Sequence, residues 1–89
     1  MASKTVIVGS AVGLHARPAS IISQAAEAYD DEILLNLEGG DADDSVDAAS
    51  SLMIMTLGAE KGAAVVVTSD NEAAVEEIAA LIEKDLDAE

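Results

Sequence analysis

Length and charge set the first limits on this chain. Its 89 residues include 18 acidic and 4 basic side chains, which gives a formal net charge of −14 at pH 7. This excess of acid argues against nucleic acid as a partner, because such binding depends on basic side chains that neutralise phosphates. The absence of cysteine excludes disulfides, thiolate nucleophiles and cysteine-based zinc sites.

Hydrophobic residues make up 51% of the chain, which predicts a folded protein rather than a disordered acidic polymer. No apolar stretch approaches the roughly 18 residues that a membrane span needs, and the N-terminus lacks the pattern of a secretory signal. We therefore expect one cytoplasmic domain over residues 1–89. The acid-rich composition is typical of halophilic proteins, because multimolar salt shortens the Debye length to about 3 Å and screens the acids. We expect partial unfolding in dilute buffer.

The first half of the chain predicts a strand, a helix and a second strand. The β-branched run Lys4–Val8 predicts the first strand. The helix has Pro18 in its first turn, where a missing N–H is tolerated. Its apolar face is formed by residues at helical spacing, namely Ile22, Ala25, Ala26 and Tyr29. The second strand is predicted where Ile33, Leu35 and Leu37 alternate with residues of the opposite face, and Gly39-Gly40 indicates a hairpin after it.

The second half predicts a return strand, two helices and a further strand. Ser45-Val46 is a candidate short return strand, and a helix is predicted over residues 50–58, with a serine as N-cap and Gly58 after its end. "AAVVVTS" (63–69) predicts a strand. Ser69 and Glu72 have capping-box spacing before a last helix, whose apolar face is formed by Val75, Ile78, Ala79 and Ile82. The order is β-α-β-β-α-β-α, an α+β fold in which helices cover one side of an antiparallel sheet.

Acidic residues are absent from two windows, residues 1–26 and residues 48–59. The first window contains Lys4 and Arg17 and therefore has a local charge of +2. Two explanations remain open for these windows. Either both are buried in the core, or both face an anionic ligand or partner.

The first window contains His15, the single histidine of the chain, two residues before Arg17. A helix N-terminus attracts anions through its unpaired N–H groups. Arginine matches phosphate oxygens, and imidazole is a nucleophile near neutral pH. Phosphoryl transfer to His15 is one hypothesis, and helix capping by His15 is the other. Metal binding and a Ser–His–Asp triad lack the neighbouring residues they require, and the acidic residues 41–44 lack the spacing of an EF-hand loop. No cofactor or metal is expected.

Two stretches together resemble the HPr family of histidine-containing phosphocarrier proteins of the phosphoenolpyruvate:sugar phosphotransferase system. They are "GLHARPAS" (13–20) and "SSLMIMTLGAEKG" (50–62). The resemblance implies an open-faced β-sandwich of four antiparallel strands with three helices on one side. It implies a phosphoryl carrier rather than an enzyme. Phospho-enzyme I would phosphorylate Nδ1 of His15, and a sugar-specific enzyme IIA would accept the group.

The resemblance also implies roles for residues around His15 and on the middle helix. Arg17 would steady the phosphoryl group, with help from the backbone N–H groups near Ala16 and Arg17. Enzyme I and enzyme IIA would dock on exposed side chains of the first and middle helices, namely Ser20, Gln24, Leu52, Met53 and Met55. Ile54 and Leu57 are expected in the core. Docking in this chain should depend on apolar fit, because the lysines common in the family are missing.

Ser50 aligns with a serine that an HPr kinase phosphorylates in some members of the family. Capping of the middle helix is the interpretation we favour for Ser50, because Ser51 and Asp47 depart from the usual surroundings of that serine. The segment between Gly39 and Ser50 is longer than is usual in the family, which puts the third strand in doubt. A carrier for a dihydroxyacetone kinase or for a nitrogen-regulatory relay, and a purely regulatory binding module, remain alternatives. The net charge favours a monomer.

Overall fold

The computed structural model describes residues 2–9, 16–40, 44–58 and 60–84. The elements in chain order are β1 (Ala2–Ile7), α1 (Ala16–Glu27), β2 (Ile33–Leu37), β3 (Val46–Asp47), α2 (Ser51–Thr56), β4 (Ala64–Ser69) and α3 (Glu72–Glu83). In this part of the chain, the strands form one sheet in the order β1-β4-β2-β3, and every neighbouring pair is antiparallel. The predicted element order and the α+β class are confirmed.

One face of the sheet carries the core. Alternate strand residues are buried on this face, as the two-residue period of a strand requires: Val6, Ile33, Leu35, Val65 and Val67. The helices cover them with buried residues that include Ala19, Ile22, Ile54, Val75 and Ile78. On the opposite face Ile7 is 52% exposed. The sheet is therefore covered on one side, as the open-faced sandwich predicts.

The hairpin between β2 and β3 is present, so the doubt about the third strand is resolved. Leu35 pairs with Val46 and Leu34 with Asp47. Gly39 has a φ of +83°, which favours glycine, and Gly40 N–H donates to the Leu37 carbonyl at 3.0 Å. The return strand is Val46–Asp47 rather than Ser45-Val46, because pairing with β2 begins one residue later.

Three predicted ends were wrong by one or two residues. β1 starts at Ala2, which pairs with Ser69, and it ends at Ile7. The first helix ends at Glu27, so Tyr29 does not lie on its face as predicted. The helix tightens at this end, because Tyr29 N–H donates to the Ala26 carbonyl three residues back.

The predicted cap of the last helix was also wrong. Ser69 lies within the sheet, paired with both Ala2 and Ile33, and is only 1% exposed. Its Oγ accepts a hydrogen bond from Asn71 N–H at 3.2 Å. Asn71 is the N-cap, and its Oδ1 accepts from the N–H groups of Ala73 and Ala74 at 3.0 and 3.3 Å. Because Ser69 is paired with strands on both sides, the N-cap of α3 lies two residues later, at Asn71.

Candidate functional site

Helix α1 begins at Ala16, the residue directly after His15. His15 lies outside the described residues. Pro18 is in the first turn, where its missing N–H would have no partner within the helix, and its side chain is fully buried. Ala19 and Ile22 are also fully buried in the core. The first turn of α1 is therefore held firmly against the rest of the fold.

The chain leaves β1 toward His15 through a close contact with the end of α3. Gly9 N–H donates to the Ile82 carbonyl at 3.1 Å. A Cβ on Gly9 would overlap the Glu83 carbonyl oxygen and lie 2.8 Å from the Glu83 carbonyl carbon. Only glycine fits this position without movement of backbone. In the sequence Gly9 simply follows the predicted strand Lys4–Val8, and no local pattern indicates its contact with α3.

Arg17 is exposed in the first turn of α1, and that turn contains no acidic residue. In the described residues the single salt bridge joins Lys4 Nζ to Glu76 Oε1 at 3.2 Å. Arg17 therefore forms no ion pair with a described carboxylate. A guanidinium without an ion pair to a described carboxylate, beside the positive end of a helix dipole, favours an anion.

Helix α2 divides into a buried side and an exposed side. Ile54 is fully buried and Leu57 packs partly buried against the core, as predicted. Leu52, Met53 and Met55 are 68%, 43% and 36% exposed. The second acid-free window is therefore not explained by burial alone. Three of the four exposed residues of α2 are apolar, the fourth being Thr56.

Helices α1 and α2 pack against each other, so the exposed residues of both belong to neighbouring surfaces. On α1, Gln24 is exposed and Ser20 is half-buried. The Gln24 Nε2 group donates a long hydrogen bond of 3.5 Å to Ser20 Oγ. The structure thus brings together the helices that carry the predicted docking residues.

Ser50 is the N-cap of α2. Its Oγ accepts from Met53 N–H at 3.3 Å, which confirms the predicted cap. At the other end Gly58 has a φ of +71° and donates to the Met55 carbonyl at 3.2 Å, the arrangement predicted for a glycine after the helix.

A family profile described as "PTS HPr component phosphorylation site" matches residues 2–84. The chain belongs to the HPr family. It is 42% identical over 90 residues to the phosphocarrier protein HPr of Streptomyces coelicolor, an alignment that covers 98% of this chain and 94% of the relative. These matches agree with the resemblance seen in the two sequence stretches.

Solved HPr structures have the same fold. A phosphocarrier protein HPr from Bacillus anthracis superposes with a TM-score of 0.80 at 31% identity, covering 91% of this chain and 95% of the other. HPr-C-His from Thermoanaerobacter tengcongensis gives a TM-score of 0.83 at 29% identity, covering 100% of this chain and 99% of the other. The four-stranded sheet with three helices is therefore the HPr fold.

Membership of the HPr family establishes the function. The chain is a phosphocarrier of the phosphotransferase system, a relay protein that is phosphorylated on histidine and is not itself a catalyst. The family implies enzyme I and enzyme IIA as the classes of partner. Within the described ranges, no helix is long and apolar enough to cross a membrane.

Proposed function

We propose that His15 is the residue that carries the phosphoryl group. Nδ1 of the imidazole attacks the phosphorus of phospho-enzyme I, so that one P–N bond forms as the P–N bond to enzyme I breaks. An acceptor on a sugar-specific enzyme IIA then takes the group in the same way. The observation that supports this most strongly is the family match over residues 2–84, which includes the only histidine of the chain.

We assign charge stabilisation of the phosphoryl group to the first turn of α1. The N–H groups near Ala16 and Arg17 are among the first four of the helix, which lack partners within it. The exposed guanidinium of Arg17 supplies donors that match phosphate oxygens. Because this turn contains no acid, it does not itself repel an arriving phosphoryl group.

The docking surface in this proposal comprises Ser20, Gln24, Leu52, Met53 and Met55. The exposure of Leu52, Met53 and Met55 supports it, since large apolar side chains exposed side by side mark interaction sites. Methionine side chains adapt to differently shaped partners, as a carrier that meets both enzyme I and enzyme IIA requires.

The working environment of the protein is proposed to be a salt-rich cytoplasm. A formal charge of −14 on 89 residues supports this, because only strong screening relieves that self-repulsion. The same charge favours a monomer. We also propose that residues 1–89 act as one HPr-like domain, since the core draws on all three described helices and all four described strands.

Regulatory phosphorylation of Ser50 by an HPr kinase is a secondary proposal. A phosphate on Ser50 Oγ would sit at the start of α2, where negative charge is favourable. The phosphate would also be attached to the oxygen atom that now accepts the hydrogen bond from Met53 N–H. Intact-mass analysis after incubation with ATP and cell extract, with the Ser50→Ala variant as control, tests it.

The experiment for the main proposal combines enzyme I, phosphoenolpyruvate and this protein in high salt, followed by ³¹P NMR. We expect an acid-labile phosphohistidine signal that is absent from His15→Ala. A signal that survives in His15→Ala would show that a residue other than His15 carries the phosphoryl group. Adding enzyme IIA, a dihydroxyacetone kinase or a nitrogen-regulatory acceptor then identifies the branch. A purely regulatory module would give no signal at all.

A further inference from the structure

An open pocket of about 450 Å³ lies beside α2, between that helix and the β2–β3 hairpin. Its apolar lining comes from Leu37, Val46, Met53 and Leu57. A volume of this order is in the range of sites that hold a small ligand or a partner's side chain. The pocket is not required for phosphoryl transfer at His15 as proposed above.

The polar lining of the pocket combines one carboxylate with the amide of Asn36 and the hydroxyls of Ser45 and Thr56. Asp44 is the one charged residue among the described residues that line it, and its carboxylate is exposed. Thr56 Oγ1 donates to the Met53 carbonyl at 2.6 Å, so its hydroxyl oxygen is left to accept from a guest. Ser45 adds a second hydroxyl. A carboxylate beside an apolar lining favours a cation on a long aliphatic stem.

The pocket is continuous with the exposed side of α2. Met53 lines the pocket and also belongs to the docking surface, where it is 43% exposed. A protein bound over Leu52, Met53 and Met55 would therefore contact the pocket at Met53. Whatever side chain it places there meets Asp44 and the apolar lining together.

We propose that this pocket receives a lysine or arginine side chain of the partner protein that docks on α2. The aliphatic stem packs on Leu37, Val46 and Leu57, and the charged end pairs with Asp44. This inference rests on the docking role proposed above. In this contact the carrier supplies the acidic group and the partner supplies the basic one. Docking through basic residues on the carrier has the opposite arrangement.

The test measures the affinity of the full chain for enzyme I and for enzyme IIA by calorimetry, at the lowest KCl concentration that keeps the protein folded. We expect Asp44→Asn to weaken binding of at least one partner by about fivefold, and Asp44→Glu to retain most of it. Asp70→Asn is the matched control, because it removes one exposed carboxylate before α3. Equal effects of Asp44→Asn and Asp70→Asn on both partners, or tighter binding by Asp44→Asn, overturn the inference.

A second measurement does not depend on docking. Nα-acetyl-lysine amide is titrated into ¹⁵N-labelled protein and compared with its uncharged counterpart Nα-acetyl-norleucine amide. The lysine derivative should shift the amide signals of Ser45, Val46, Thr56 and Leu57 more strongly, and Asp44→Asn should remove the difference. Equal shifts from both compounds contradict a cation site. Phosphorylation of His15 is assayed in parallel. If His15 is phosphorylated but the pocket shows no preference for the lysine derivative, only the pocket inference is wrong; if His15 is not phosphorylated, the proposed carrier role is wrong.

Discussion

Gly9 packs its backbone directly against the carbonyl group of Glu83, the last residue of α3. The contact joins the end of β1 to the end of α3, and the chain continues from it toward His15. Glycine is required because a Cβ would overlap the Glu83 oxygen, which is backbone and cannot rotate away.

Replacing Gly9 with alanine should therefore destabilise the fold by about 3 kcal/mol, the upper range for overpacking. Denaturant unfolding in high KCl, followed by circular dichroism, measures the change. Gly39→Ala is the matched control. Its Cβ meets nothing within 4 Å, so only its positive φ costs free energy, about 1 kcal/mol. If Gly9→Ala destabilises the protein no more than Gly39→Ala does, the backbone at the end of α3 can shift to make room for the Cβ atom.

The ionisation of Tyr29 should be shifted by α3. Its hydroxyl donates to Glu77 Oε1 at 2.5 Å, and this hydrogen bond, followed by desolvation and the charge of Glu77, raises the pKa of Tyr29 above 10.0. The contribution to stability is present below the ordinary pKa and is lost as the pH rises through the raised pKa. The chain has one tyrosine and no tryptophan, so tyrosinate absorbance reports this group alone.

Glu77→Gln should return the pKa of Tyr29 toward its ordinary value, because the carboxylate that accepts the bond and repels tyrosinate is gone. Glu76→Gln, on the same helix, is the control and should leave the titration unchanged. If both variants titrate like the wild type, the contact does not persist in solution.

Capping of α3 by Asn71 should contribute measurably to the free energy of unfolding. Asn71→Ala removes the acceptor for two N–H groups and should cost about 1 kcal/mol, whereas Asn71→Gly should cost only a few tenths. Asp70→Ala, at the exposed neighbouring position, should stay within about 0.5 kcal/mol of wild type. Thermal and denaturant unfolding in high salt provide the comparison. A larger loss of stability for Asp70→Ala than for Asn71→Ala would show that Asp70, and not Asn71, caps α3.

Docking through α2 should show an apolar signature. Leu52→Ala removes the most exposed of the large apolar side chains and should weaken enzyme I binding by about tenfold without unfolding the protein. Wild-type affinity should hold or increase as KCl rises, because salt does not screen apolar contacts and reduces repulsion from the excess acid of the carrier. Calorimetry across a KCl series measures both effects. A steep fall with salt would show that several opposite-charge contacts, and not apolar burial with the single Asp44 pair, dominate docking.

Much of the fold followed from local patterns. The two-residue alternation of β2, the helical spacing of α1 and α3 and the capping position of Ser50 each depend on neighbours a few residues apart, so they could be predicted directly. The role of His15 was predicted from its neighbours and from the resemblance to HPr, and it stays a prediction because His15 lies outside the described residues.

Other features depended on residues far apart in the chain. Ser69 has the local spacing of a helix cap. Pairing with Ala2 and Ile33 holds it in the sheet, however, and Asn71 is the N-cap instead. The hydrogen bond between Tyr29 and Glu77 spans 48 positions.

The element order, the fold class, the acid-free windows and the motif around His15 could all be derived from the amino-acid sequence, because they depend on side-chain periodicity and charge along the chain. The folded structure was needed to show which apolar residues of α2 remain exposed, why position 9 must be glycine, and where Asp44 meets an apolar pocket. Each of these depends on surfaces that come together when the helices pack on the sheet, and no local pattern records that packing.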